Sequence, residues 1–206
     1  MLSFQEMYLF IMVQIKKIFI HSSNSGVGLI KKLSQPLNHN FKHENSKLIL
    51  IGKTFGHLGQ SCFLKENYSL NIGMPREINF LNEKNNGETV LKLINNNLVL
   101  SSHDISNGGL ITALSEMAMN SNYGAKIQKP KKLTNLLNYF FGEDQARYIL
   151  EVSANNLPKV EKILKDSDIY YEYIGYTQKE FFEIEGEFKI KIKDLFKINN
   201  EWYNNY

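Results

Sequence analysis

The stretch Leu98-Val99-Leu100-Ser101-Ser102-His103-Asp104-Ile105-Ser106-Asn107-Gly108-Gly109-Leu110 limits the possible folds of this chain more than any other. Leu98 to Ser102 reads as a strand that ends in His-Asp. After a polar turn and two glycines, Leu110, Ala113, Leu114 and Met117 recur at spacings of three and four. That spacing predicts a helix over Gly109 to Asn120 with one face in the core. Two glycines at a helix start remove side chains, so backbone N–H groups can come close to an anion. Asp104 is badly placed to touch a phosphate directly. It suits a metal that bridges it to phosphate, or a nucleoside hydroxyl or amine that donates to it. An equally simple reading is a strand–turn–helix corner capped by Asp104. Spacing alone leaves both readings open.

A second dense stretch is Phe141-Gly142-Glu143-Asp144-Gln145-Ala146-Arg147, which runs into a strong strand over Tyr148 to Ser153. It reads either as a turn with a surface salt bridge, worth little energetically, or as a cluster of hard carboxylate oxygens suited to Mg²⁺ and phosphate. A third lies after the buried strand Lys47 to Thr54: Gly56-His57-Leu58-Gly59-Gln60-Ser61, a tight polar loop. His57 there is a surface or capping residue, or a ligand.

The remaining elements follow from periodicity. Glu88 to Asn96 is a helix with Val90, Leu91 and Ile94 on one face, and Leu81 to Glu83 approaches it. Gly124 to Gln128 is a strand, and Leu133 to Phe140 is helical. Leu157 to Lys165 is an amphipathic helix with Pro158 in its first turn. Ile169 to Thr177, Phe181 to Glu185 and Phe188 to Ile192 alternate as strands, with Gly186 at a hairpin turn. Lys193 to Phe196 is a short helix, and Trp202 and Tyr203 fold back on the body. Strands and helices mix without strict βαβ alternation, so the fold class is α+β, a layered mixed β-sheet with packed helices.

Composition excludes several classes. The 206 residues carry a formal charge of +3 with the lysines spread out, which gives no stripe for nucleic acid. The lone Cys62 excludes an internal disulfide and a Cys-cluster zinc site, and reads as a small buried hydrophobe. The apolar run Tyr8 to Val13 is too short to span a bilayer, and Gln14, Lys16 and Lys17 break it before Ile18. These features predict a cytoplasmic protein with neither nucleic-acid nor membrane partners. P-loop, Rossmann, metalloprotease-helix and nucleophile-elbow signatures are all missing from the sequence.

The three dense stretches, with Leu50-Ile51-Gly52-Lys53-Thr54 and Gly26-Val27-Gly28-Leu29-Ile30, occur in an order that resembles a known family. From about Gly26 to Tyr203 the chain resembles the C-terminal end of the large subunit of phosphoribosylformylglycinamidine synthase, a member of the aminoimidazole ribonucleotide synthase-related superfamily. The resemblance implies a three-part chain. Residues 1–25 are a divergent extension, 26–46 a remnant of the preceding N-domain, and 47–206 the synthase-like C-terminal domain.

It also implies a role in de novo purine synthesis, the ATP-dependent amidation of formylglycinamide ribonucleotide. ATP and Mg²⁺ are the implied cofactors. Asp104 and Gly142 become ATP positions, Glu143 a magnesium position and Gln145 a substrate position. The implied partners are a glutaminase subunit, a small subunit and the missing N-terminal half of the synthase. The family's catalytic histidine lies in that half, so the chain is expected to be inactive alone. A non-catalytic remnant and a stand-alone nucleotide-binding module are the alternatives. Departures are the stretch before Gly26, which lacks the family's Gly-rich sequence, and Asn79, which stands where an Asp is common.

Overall fold

The structure is a computed structural model and describes residues 37–130 and 135–204. These residues belong to the compact unit Pro36–Tyr206. The expectations for residues 1–25, for Gly26 to Ile30, for the first residues of the helix from Leu133 and for the side chains of Trp202 and Tyr203 lie outside the described residues.

Seven strands form one sheet among the described residues: β1 (Lys47–Ile51), β2 (Ser101–Asp104), β3 (Tyr123–Ile127), β4 (Tyr148–Val152), β5 (Tyr171–Lys179), β6 (Phe181–Ile184) and β7 (Phe188–Lys191). Their spatial order is β2-β4-β1-β5-β3-β6-β7. All neighbours run antiparallel except β3 and β6, which are parallel. Six helices accompany them: α1 (Cys62–Tyr68), α2 (Phe80–Asn95), α3 (Gly109–Met119), α4 (Leu136–Phe141), α5 (Leu157–Asp166) and α6 (Ile192–Asn204). The fold is therefore α+β on a mixed sheet, as the alternation of elements predicts.

β1 explains the layering. Successive strand residues point to opposite faces. Leu48 and Leu50 join a cluster with Leu110, Leu114 and Met117 of α3 and with Tyr139 and Phe140 of α4. Ile49 and Ile51 join another with Val90 and Leu93 of α2 and Val160 and Leu164 of α5. An unbroken apolar run is what a strand covered on both faces requires.

Several boundaries differ from the periodic reading, each for a local reason. α2 begins at Phe80 because Asn79 is its N-cap: the Asn79 side chain accepts from Asn82 N at 3.0 Å. α1 buries no residue, so it carries no apolar period to read. β2 starts at Ser101, three residues later than expected, because Leu98 and Val99 pack into the second cluster without joining the ladder. α6 extends to Asn204, well past Phe196. Residues 42–46 are held to the sheet by buried polar groups. The Glu151 carboxylate accepts from the N–H groups of Lys42 and His43 at 2.8 and 3.0 Å, and Thr177 Oγ1 accepts from Ser46 N at 2.8 Å.

The register places the dense stretches together. Tyr148, the first residue of β4, pairs with Asp104 on one side and Ile51 on the other. The loops after β1, after β2 and before β4 therefore leave the sheet at the same end.

Candidate functional site

Three loops meet at that end of the sheet, and glycines decide how closely. A Cβ on Gly109 would lie 2.7 Å from the carbonyl oxygens of both Phe140 and Gly142, and one on Gly142 would lie 2.8 Å from Gly56 Cα. Gly109 also has φ +73°, which disfavours other residues. Its lack of a side chain serves close contact with the segment around Gly142.

Two N–H groups at the start of α3, those of Gly108 and Gly109, are spent internally. Gly108 N donates to Glu143 Oε1 at 2.7 Å, and Gly109 N donates to Ser106 O. Cys62 N, at the start of α1, donates to the same Glu143 oxygen at 2.8 Å. One carboxylate thus sits at the positive ends of two helices, where a negative charge is favoured. Cys62 is half-buried, a correction to the buried hydrophobe expected, and burial together with the Glu143 charge pushes its thiol pKa up. It is no ready thiolate nucleophile.

Asp144 faces the other way and is buried. Its carboxylate accepts from Phe55 N at 2.8 Å, Gly56 N at 2.7 Å and His57 N at 3.4 Å. Arg147 is buried as well, donating to Asp144 O at 3.1 Å, Thr54 Oγ1 at 3.2 Å and Gly142 O at 2.5 Å. Burial lowers the Arg147 pKa, and the Asp144 charge opposes that shift. The surface salt bridge that the sequence allows here is thus replaced by two fully buried charges, each satisfied largely by backbone. His57 is a tie between loops: its carbonyl accepts from Glu143 N at 2.9 Å, and its Nε2 donates to Met74 O at 2.7 Å.

Two adjoining cavities open over this junction. The first, about 300 Å³, is lined by Asp104, Ser106, Asn107, Glu143, Gln145 and Tyr148 among others. The second, about 470 Å³, is lined by Phe55, Arg76, Ile78, Asn79, Asn82 and Gln145 among others. Glu83, Gln145 and Ala146 line both. Asn86 steadies that shared wall by donating from Nδ2 to Ala146 O at 2.8 Å. Burial, followed by the charges of Glu83 and Asp104, raises the Tyr148 pKa, so its phenol stays protonated at the cavity wall.

The structure thus brings Asp104, Glu143 and Gln145 to one cavity. Asp104 and Gln145 are exposed. Gly142 is different. It is buried, its N–H donates to Asn138 O, and its carbonyl accepts from Arg147. Sequence reasoning missed Phe55, Arg76, Glu83 and Tyr148. Arg76 and Phe55 lie in stretches without a period, and only their meeting in space marks them. Among the described residues no three His, Cys, Asp or Glu side chains gather closely enough to hold a metal by themselves, and no helix is long and apolar enough to cross a membrane.

Comparison with known proteins adds three findings. Residues 44–185 match the family described as AIR synthase related protein, C-terminal domain. The phosphoribosylformylglycinamidine synthase subunit PurL of Pelagibacter ubique is 43% identical over 181 residues, which are 88% of this chain and 25% of that protein. This chain therefore spans about a quarter of that relative's length. Among solved structures, phosphoribosylformylglycinamidine synthase II from Thermotoga maritima superposes with a TM-score of 0.60 at 16% identity, covering 78% of this chain and 27% of its own. PurL from the same organism, complexed with ATP, gives 0.58 at 15% identity, covering 78% and 27%. At that identity the structures bear on the fold.

Proposed function

Because the chain belongs to the family of AIR synthase related proteins, C-terminal domain, we propose that it forms one wall of an ATP-using site. The reaction is the one the similar PurL proteins are named for. ATP activates the amide oxygen of formylglycinamide ribonucleotide, and ammonia then displaces phosphate to give the amidine. On this reading residues 47–206 are the C-terminal domain of such a synthase. A glutaminase subunit supplies ammonia, and a small subunit and the N-terminal part of the synthase, where that is separately encoded, complete the assembly. The chain spans about a quarter of that relative's length, and on this reading the rest of the synthase supplies the other walls.

The observation that carries the reading is the register Ile51–Tyr148–Asp104, which brings the family-like stretches to one cleft. Phosphoryl transfer depends on positioning and charge neutralisation more than on covalent chemistry from the protein. Asp104 accepts from the nucleotide, and Gln145, shared by both cavities, presents a side-chain amide to the substrate. Gly142 contributes by letting the loops close. The donors suit magnesium only in part. Glu143 lines the cavity with Oε1 already committed to two N–H groups, which leaves Oε2. Mg²⁺ commonly binds through one or two carboxylates with phosphates and water supplying the rest. Glu143 Oε2 and Asp104 would hold it there, and the ion would neutralise phosphate charge.

Turnover tests this. The purified chain with formylglycinamide ribonucleotide, ATP, Mg²⁺ and ammonia should give no product. Adding the N-terminal three quarters of a similar PurL protein should restore it. Product from the chain alone would overturn the incomplete-wall reading, and no product from the mixture would count against the synthase assignment.

A further inference from the structure

Arg76 stands apart from every other cation at the cleft. Of the residues lining the two cavities, only Arg76 and Arg147 are basic. Arg147 is fully buried and engaged by three acceptors. Arg76 keeps 33% of its side chain exposed. Its guanidinium sits over the Phe55 ring, with Cζ 3.6 Å from the ring centroid, and Phe55 is itself 57% exposed. Behind them Asp144 Oδ1 sits 3.5 Å from Arg76 Nη1. The Asp144 charge is already shared among three backbone N–H groups, so it pins Arg76 without consuming it. Among the described residues Arg76 makes no hydrogen bond beyond that ion pair.

We propose that Arg76 is the oxyanion-binding group of the cleft and that Asp144 is its positioning residue, acting both directly and through the Phe55–His57 loop. The physical case is preorganisation. A free arginine loses side-chain freedom when it clamps an anion, whereas one already stacked and tethered loses less. Its planar fork then meets phosphate or carboxylate oxygens in a bidentate manner. The carboxamides of Asn82 and Gln145 line the same cavity and supply neutral donors. Glu77 and Glu83 line it too, so a single phosphate or carboxylate is a better guest than a bare polyphosphate. This deepens the proposed nucleotide-site reading but rests only on the Arg76, Phe55 and Asp144 geometry.

The test is a titration of the full chain with inorganic phosphate, followed by the ¹⁵N signals of Arg76 Nε and the amides of Phe55, Gly56 and His57. Acetate in a parallel titration separates carboxylate from phosphate recognition. The expected result is a saturable shift of all four signals. Arg76→Gln, on a partly exposed side chain, should abolish it, and Arg76→Lys should weaken it about tenfold because the fork is lost. Asp144→Asn should move the Phe55 and Gly56 amides before any anion is added and weaken phosphate binding about tenfold. If that variant does not fold, Phe55→Leu, which removes the shelf and leaves Asp144 in place, should lower affinity in the same direction. Signals that do not move with phosphate, or that move equally in Arg76→Gln, would overturn the proposal. Phosphate binding at Arg76 together with failure to bind Mg·ATP would defeat the nucleotide reading and leave this one standing.

Discussion

The centre of the sheet and the loop junction at its end are both tightly buried, but opposite forces hold them. Around β1 the contacts are apolar on both faces, from Leu110 and Leu114 on one side to Leu93 and Leu164 on the other. At the junction the buried groups are Asp144, Arg147 and the glycine backbones, and the bonds run from charges to main chain. Apolar packing is non-directional and tolerates exchange of similar volumes. A charge satisfied by particular N–H groups tolerates little, because a lost partner leaves a buried group unpaired. The junction therefore fixes loop geometry in a way the core does not, which suits a site wall.

Substitutions can break this contrast. Leu50→Ala in the core should cost about 2–5 kcal/mol of unfolding free energy, and Arg147→Met at the junction about 3 kcal/mol or more, since three acceptors lose their donor. Urea denaturation of the two should give comparable losses. Amide exchange separates them: only Arg147→Met should loosen residues 54–57 selectively. Uniform loosening in both variants would mean that the junction is merely more core.

Glu143→Gln is a smaller step, expected to cost about 1–2 kcal/mol, because two N–H groups keep an acceptor but lose its charge. Thermal unfolding checks it. A variant as stable as the parent would show that the carboxylate is free for metal and owes little to the two helices.

Acid probes the rim. His39 lies 5.1 Å, centroid to centroid, from His103, whose Nε2 is 2.9 Å from Glu116 Oε2 and Nδ1 3.5 Å from Asp104 Oδ1. Burial, then the His103 charge, lowers the His39 pKa below its ordinary value, with Glu116 opposing and Lys42 adding. The unfolded chain takes up that proton near pH ~6.5 and the folded chain resists it. Stability should therefore be unaffected by His39 above that pH and fall as the pH drops below it. Urea midpoints at about pH 7.5 and about pH 5.5 should show a loss that His39→Gln reduces. An unchanged slope in that variant would remove His39 from the account.

The same contrast explains what could be read from sequence. The core announces itself through period: Lys47 to Thr54, Leu110 to Met117 and Tyr148 to Ser153 are strand or helix by pattern, and the mixed α+β class follows. The junction has no period. Gly142 and Glu143 are ligand positions through the family resemblance, and only the carboxylates carry a local cue, their suitability for Mg²⁺. Their main chain and Oε1 turn out to be engaged by Arg147, Gly108 and Cys62, residues distant in sequence. Arg76 and Phe55 were illegible for the converse reason, since nothing local marks them and only Asp144, far along the chain, brings them together.

Asp104 gives the sharpest separation of wall from ligand contact. It is exposed, so Asp104→Ala should change the unfolding free energy by less than about 0.5 kcal/mol. Isothermal titration of the chain with Mg·ATP, with thermal unfolding measured alongside, tests the central claim. The account predicts measurable binding that Asp104→Ala weakens about tenfold, the loss of one charge-assisted hydrogen bond, with the melting temperature unmoved. Equal affinity in the parent and the variant, or a melting temperature that falls with the affinity, would contradict it.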